Sequence, residues 1–105
     1  MTSQSERNGA LEAIERILNR GGDADDVLRR VVDVLGRLYA YAGIIFVKEG
    51  KLVAGPSAGA HSKGSARRIE FQGTEVAELE VAGAADDDAQ FVDRVATIIS
   101  PYCRR

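Results

Sequence analysis

The sequence predicts an α+β domain with an antiparallel sheet of about four strands and with helices at both ends of the chain. Apolar residues recur at helical spacing in two N-terminal segments and one C-terminal segment, and the middle of the chain holds short runs rich in β-branched side chains. These runs follow one another instead of alternating with helices, which favours an antiparallel sheet made of two hairpins. We therefore expect the N-terminal and C-terminal helices to pack together on one face of the sheet.

The chain has 105 residues, which fits a single domain over residues 10–103 after a flexible, polar lead-in over residues 1–9. Its 14 basic and 16 acidic residues give a net charge of -2, with no surplus of positive charge for nucleic acid. No apolar run reaches the roughly 20 residues of a membrane span, and the N-terminus does not resemble a signal peptide. A single cysteine excludes an internal disulfide, and we expect a cytoplasmic protein.

Two helices are predicted in the N-terminal part. The first runs from about residue 6 to residue 20, has one apolar face, and ends at two glycines. The second begins at a cluster of aspartates, where the helix dipole favours negative charge. Its apolar set is broader than a single stripe, so we expect it to be the central helix, packed on two neighbours. This set is Val27, Leu28, Val31, Val32, Val34, Leu35, Leu38 and Tyr39.

The first predicted hairpin has a buried strand over residues 43–47, a tight turn over 48–51 and a short returning strand over 52–54. Residues 55–65 follow, and they hold most of the Gly, Ser and Pro residues of the middle of the chain. This composition predicts an irregular loop.

The second predicted hairpin has strands over residues 66–71 and 75–81, joined by a three-residue turn. This turn length sets the cross-strand pairs Ile69 with Ala77, Phe71 with Glu75 and Arg68 with Glu78. One face of the hairpin is then apolar and joins the core. The other face is polar and carries Arg68, Glu70, Glu78 and Glu80.

The last predicted helix begins at the three aspartates of residues 86–88. Asp87 and Gln90 have the spacing of a capping box, and Pro101 is expected to end or bend the helix. The apolar stripe is broad and consists of Phe91, Val92, Val95, Ala96, Ile98, Ile99 and Tyr102.

The C-terminal half resembles that of a GAF domain. In that family, a strand of the type vPI-x-F meets a strand of the type G-x-x-x-G-x-L-x-v, and an acidic stretch then begins a long helix. Residues 67–71, residues 73–81 and the aspartates of 86–88 follow this order here. The N-terminal half is also similar, with a helix pair and a buried strand that ends in a small hairpin. The resemblance implies a GAF/PAS-like fold over roughly residues 10–102.

The resemblance also implies a function. A typical GAF domain has one or two helices and a strand between its hairpins, and these form a wall of its ligand pocket. Here that region is only Gly55–Ser65, so the wall is missing. We therefore expect a minimal GAF-like sensory or interaction domain in signalling, without enzymatic activity.

A homodimer is expected, because GAF-like domains commonly dimerise through their terminal helices. The apolar stripes of the first and last helices are wide for one small sheet face, and burying them would stabilise so small a domain. The alternative is that both stripes are used inside the monomer. The predicted interface consists of Leu11, Ile14, Ile17, Leu18, Phe91, Val95, Ile98 and Tyr102.

The alternative function is a small-molecule binding protein that uses the cleft between loop 55–65 and the polar sheet face. Amides of a Gly-rich loop can bind an anion, and an arginine can pair with a carboxylate or phosphate. The same residues also fit a surface loop and an ordinary solvated sheet face. The candidate ligand-binding residues are His61, Ser62, Lys63, Arg68, Glu78 and Glu80.

No residues form a recognisable catalytic motif, and we expect neither a cofactor nor a metal ion. One histidine and one distant cysteine are too few nitrogen and sulfur ligands for a transition metal. Some free-standing GAF-like proteins reduce free methionine sulfoxide with several cysteines. That activity is not expected with Cys103 alone, which we expect to be a partly buried and inert thiol.

Overall fold

Three helices and four strands form the domain in the computed structural model, which describes residues 3–62 and 64–104. The four strands follow one another between the second and third helices, which confirms the predicted α+β class. A 3-10 turn over Asp86–Asp88 precedes the last helix. The elements are α1 (Gln4–Arg20), α2 (Ala24–Leu38), β1 (Tyr41–Lys48), β2 (Lys51–Gly59), β3 (Ser65–Phe71), β4 (Thr74–Ala82) and α3 (Ala89–Cys103).

The sheet is antiparallel throughout, with the strand order β2-β1-β4-β3. The two hairpins therefore lie side by side, with β1 and β4 in the centre. Because side chains alternate along a strand, one set points towards the helices and the other points away. Ile44, Ile69 and Leu79 are buried on the helix side. We call the opposite side, which carries Ile45 and Glu78, the open face.

Helix α2 is the central helix, as its broad apolar set predicts. It packs on β1 and β2 and also contacts α1 and α3. It lies closest to the sheet where Gly36 meets Ala58 of β2, since a Cβ added to Gly36 would lie only 2.7 Å from the Ala58 Cβ. Helix α1 packs across α2 and α3, so the helices form their own layer over the sheet.

Both hairpins have two-residue turns in which both central residues have positive φ. Glu49 and Gly50 have φ values of 53° and 77°, and Gln72 and Gly73 have φ values of 53° and 80°. Type I′ turns require this geometry, and they match the twist of the flanking strands.

The turn of the second hairpin has two residues instead of the predicted three, so part of the predicted register is wrong. The pairs Ile69 with Ala77 and Arg68 with Glu78 are confirmed. The predicted pair of Phe71 with Glu75 is wrong, because Phe71 lies opposite Thr74, the first residue of β4. An irregularity between Ile69 and Glu70 absorbs the one-residue difference.

Strand β2 is longer than its composition predicts. It continues to Gly59, so the first five residues of the predicted loop 55–65 are part of the sheet. Pairing with β1 holds this Gly- and Pro-containing segment extended, and the register shifts opposite Ile44, where Gly55 and Pro56 lie. Proline is tolerated there because β2 is an edge strand with a bulge.

Helix α1 begins at Gln4, so the predicted lead-in over residues 1–9 is too long. Ser3 and Glu6 form a capping box: the Ser3 hydroxyl accepts a hydrogen bond from the Glu6 amide at 3.1 Å, and the Ser3 amide donates to Glu6 Oε1 at 3.2 Å.

The start of α3 also differs from the prediction. The carboxylate of Asp88, instead of that of Asp87, closes the preceding 3-10 turn by accepting a hydrogen bond from the Ala85 amide at 2.9 Å, and α3 has no side-chain cap of its own. Pro101 lies inside the last turn, and the helix continues to Cys103. Pro101 has no amide hydrogen to donate to the Thr97 carbonyl, which instead accepts a hydrogen bond from the Ser100 hydroxyl at 2.8 Å.

Candidate functional site

His61 lies over the open face, in the short connection between β2 and β3. Its ring packs edge-on against Tyr41 with the ring centroids 5.0 Å apart, and its Nε2 lies 3.7 Å from Glu80 Oε1. The structure thus brings together two of the predicted ligand-binding residues. Ser62 is exposed beside His61, and Lys63 lies outside the described residues.

Arg68 and Glu78 lie directly opposite each other in the sheet, as predicted. The Arg68 guanidinium, however, forms its ion pair with Glu75, at 3.4 Å. Arg68 also lines a pocket of about 290 Å³ between the β3 edge and α3. Four of the best-formed pockets in the described part of the chain are lined by other residues than His61, Glu78 and Glu80, so a small-molecule site on the open face stays a prediction.

The predicted dimer interface is largely used inside the protomer. Ile14, Phe91 and Val95 are buried in the core. The other five residues are half-buried and pack against the same core. These are Leu11, Ile17, Leu18, Ile98 and Tyr102.

An apolar surface of the first hairpin is exposed on the open face. Val47 lies opposite Leu52, and Ile45 lies opposite Ala54. Leu52 is 64% exposed, whereas Ile45 and Val47 are half-buried. We call these four residues the hairpin patch. Besides Leu52, Val53 is the other large apolar side chain exposed in the described residues, and it points to the helix side of the sheet.

A basic groove runs between α1 and α2 and has a volume of about 570 Å³. Apolar side chains form its floor, and arginines stand on both of its sides. One acidic residue, Asp33, also lines it. We call it the arginine groove: its floor is Ala13, Ile17 and Val34, and its rim is Arg16, Arg20, Arg30 and Arg37.

A buried ion pair ties α1 to the start of α3. Arg7 Nη1 lies 2.8 Å from Asp88 Oδ1, and Asp88 is only 1% exposed. Burial by itself raises the pKa of the Asp88 carboxyl, but the hydrogen bonds from the Ala85 amide and the Arg7 guanidinium outweigh it and hold this pKa below its usual value. The same hydrogen bond to Asp88 raises the pKa of Arg7.

The Tyr39 hydroxyl is buried next to this ion pair and lies near the Asp88 carboxylate, but it makes no hydrogen bond of regular geometry. Burial, with the negative charge of Asp88, raises the pKa of the Tyr39 phenol well above its usual value. The phenol therefore stays neutral, and the cluster has the character of a structural clamp.

Cys103 is fully buried in the core at the end of α3, where solvent does not reach its thiol. Within residues 3–62 and 64–104, no three His, Cys, Asp or Glu side chains are grouped so that they could hold a metal ion. None of the helices in this part has the length and apolar character that a membrane span requires.

No family model matches this chain, and no curated protein has a matching sequence. The resemblance to GAF domains therefore stays a prediction. Sequence reasoning also missed the arginine groove. The sequence does contain a signal for it. Arg16 and Arg20 are four residues apart in α1, Arg30 and Arg37 are seven apart in α2, and apolar residues lie at helical spacing next to them.

Proposed function

We propose that this chain is a non-enzymatic, GAF-like interaction domain that forms a homodimer through the hairpin patch. The observation that carries the proposal is the cross-strand pair of Val47 and Leu52 on the open face, with Leu52 64% exposed. Removing apolar surface from water contributes about 25 cal/mol per Å², which favours covering the patch. The resemblance to GAF domains supports a role in signalling.

A second copy of the chain fits the patch because the patch contains no charge, so an identical patch can cover it without burying a charged group. Glu78 and Glu80 border it on β4, whereas Lys48 and Lys51 at the end of the hairpin belong to the helix side of the sheet. Two sheets can pack face to face at nearly a right angle. A two-fold axis in that arrangement lets each patch cover the other.

The terminal helices offer less surface than the sequence predicts. Three of the eight predicted interface residues are buried in the protomer, and the others already pack against its core. Further burial on dimerisation would therefore gain less at these side chains than at Leu52, which is 64% exposed. The outer side of α1 and α2 carries the arginine groove, and two copies of it would repel each other.

Sedimentation velocity between about 1 and 100 µM tests this proposal, a range that covers typical micromolar association. We expect the wild-type protein to reach the dimer mass and the Leu52→Lys variant to stay monomeric. Leu11→Lys, on the helix layer, should still dimerise. Circular dichroism checks that both variants are folded.

A monomeric wild-type protein over this whole range would contradict the proposal. If Leu11→Lys is monomeric and Leu52→Lys still dimerises, the interface lies on the terminal helices and not on the hairpin patch.

A further inference from the structure

The arginine groove carries an inference that does not depend on the hairpin patch. Helices α1 and α2 are joined by only three residues, Gly21–Asp23, and pack side by side as a helical hairpin. Their facing sides leave an open groove with an apolar floor, in which Ile17 and Val34 are half-buried. The groove is thus partly hydrophobic and open along its length.

The spacing of the arginines places positive charge on both sides of this floor. Arg16 and Arg20 are one helical turn apart on α1, and Arg30 and Arg37 are two turns apart on α2. At 1.5 Å per residue, Arg30 and Arg37 span about 10 Å along the groove. The basic rim therefore extends over roughly two turns of helix.

These charges are mostly uncompensated within the described part of the chain. Arg20, Arg30 and Arg37 form no ion pair there within 4.0 Å. Arg16 lies 3.8 Å from Glu12 on the same helix, but both side chains are largely exposed, so this pair is weak. Asp33 is the one acidic residue that lines the groove, against four arginines, so the groove carries a local excess of positive charge.

We propose that the arginine groove binds an acidic amphipathic α-helix of a partner protein. A helix that docks in a groove uses apolar side chains at i, i+3, i+4 and i+7, and the apolar floor offers their complement. Acidic side chains beside that stripe would reach the arginines on both sides. Guanidinium groups pair with carboxylates through two parallel hydrogen bonds, which favours this class of partner.

Other occupants fit the groove less well. A second copy would bring its own four arginines against these four, and like charges repel. Single-stranded nucleic acid would use aromatic side chains for base stacking, and none lines the groove among the described residues.

Fluorescence anisotropy with labelled synthetic peptides tests the proposal. The first probe is an amphipathic helix with Leu at i, i+3, i+4 and i+7 and Glu beside this stripe. A second peptide has Lys in place of each Glu, and a third has the first composition in scrambled order. The protein variants are the double variant Arg30→Gln/Arg37→Gln, and Arg29→Gln as the matched control, since Arg29 is exposed on α2 but does not line the groove.

We expect the acidic helix to bind the wild-type protein and the Arg29→Gln variant equally. Its affinity for the double variant should be lower by about tenfold or more. Its affinity for the wild-type protein should also decrease in high salt, because salt screens the charges. The Lys peptide and the scrambled peptide should bind at least tenfold more weakly than the acidic helix.

Three results would overturn the proposal. One is no binding of the acidic helix, and another is equal binding to the wild-type protein and the double variant. The third is equal or stronger binding of the scrambled peptide, or of a labelled single-stranded oligonucleotide added as a fourth probe, which would show a general anion site instead of a helix groove.

Discussion

Arg7 and Asp88 lie 81 positions apart in the sequence and meet at 2.8 Å, where the start of α1 packs against the start of α3. The Asp88 carboxylate also accepts a hydrogen bond from the Ala85 amide. One buried side chain thus closes the 3-10 turn that precedes the last helix and fixes the first helix against it.

Asp88→Ala should destabilise the domain by about 2–3 kcal/mol, because the Ala85 amide loses its acceptor and the Arg7 guanidinium loses its shortest contact. The guanidinium keeps Gln4 and the more distant Asp87. Urea denaturation measures this change. Asp87→Ala is the matched control, since Asp87 is exposed and lies 3.9 Å from the same guanidinium. It should cost less than about 0.5 kcal/mol. Equal losses for both variants would contradict the assigned role of Asp88.

The contribution of Asp88 to stability should depend on pH. Because folding lowers its pKa, its stabilising effect is present above the pKa of the unfolded chain, near pH 4, and is lost as the pH falls through the folded value. The stability of the wild-type protein should therefore fall below about pH 4, and that of Asp88→Asn should fall less steeply. Urea denaturation between pH 2.5 and about 7 gives both curves. Parallel curves would show that this carboxyl has an ordinary pKa in the folded state.

Two glycines in helices should respond in opposite ways to alanine. Gly36→Ala places a methyl group 2.7 Å from the Ala58 Cβ, and should cost about 1–3 kcal/mol as α2 is pushed away from β2. Gly9→Ala meets no atom within 4 Å on the exposed side of α1, and should stabilise by about 0.5–1 kcal/mol. Thermal and urea denaturation measure both. Stabilisation by Gly36→Ala would mean that α2 does not lie this close to β2.

Tyr39→Phe should leave stability unchanged or raise it by up to about 1 kcal/mol. The Tyr39 hydroxyl is buried near Asp88 but makes no hydrogen bond of regular geometry, so removing it takes away a poorly satisfied polar group. A loss of more than about 1 kcal/mol on urea denaturation would show that the hydroxyl donates a hydrogen bond to Asp88.

Local patterns in the sequence predict most of the fold. The broad apolar set of α2 predicts its central place, and the segment 72–74 predicts the second hairpin, although the turn itself has two residues instead of three. The pattern fails for β2, where Gly55–Gly59 has no intrinsic preference for a strand and becomes one by pairing with β1. It also fails at the N-terminus, because a polar segment looks like a lead-in unless the Ser3 and Glu6 capping box is recognised.

The candidate surfaces were harder to predict, because they depend on how elements pack. Arg7 and Asp88 are far apart in the sequence, and no local pattern connects them. The arginine groove exists only because α1 and α2 lie side by side. The packing of α1 on α3 likewise joins distant segments, and there the Tyr102 hydroxyl lies 3.4 Å from the Leu18 carbonyl oxygen. The dimer interface predicted on these two helices stays a prediction.

Leu52 and Val53 give a direct comparison of the two faces of the sheet, because these neighbours on β2 are both exposed and point to opposite sides. We propose the same measurement on both: the mass of Leu52→Lys and of Val53→Lys by sedimentation velocity at the concentration where the wild-type protein is dimeric. Dimerisation through the hairpin patch predicts a monomer for Leu52→Lys and a dimer for Val53→Lys. A dimer for both variants, or a monomer only for Val53→Lys, would contradict it.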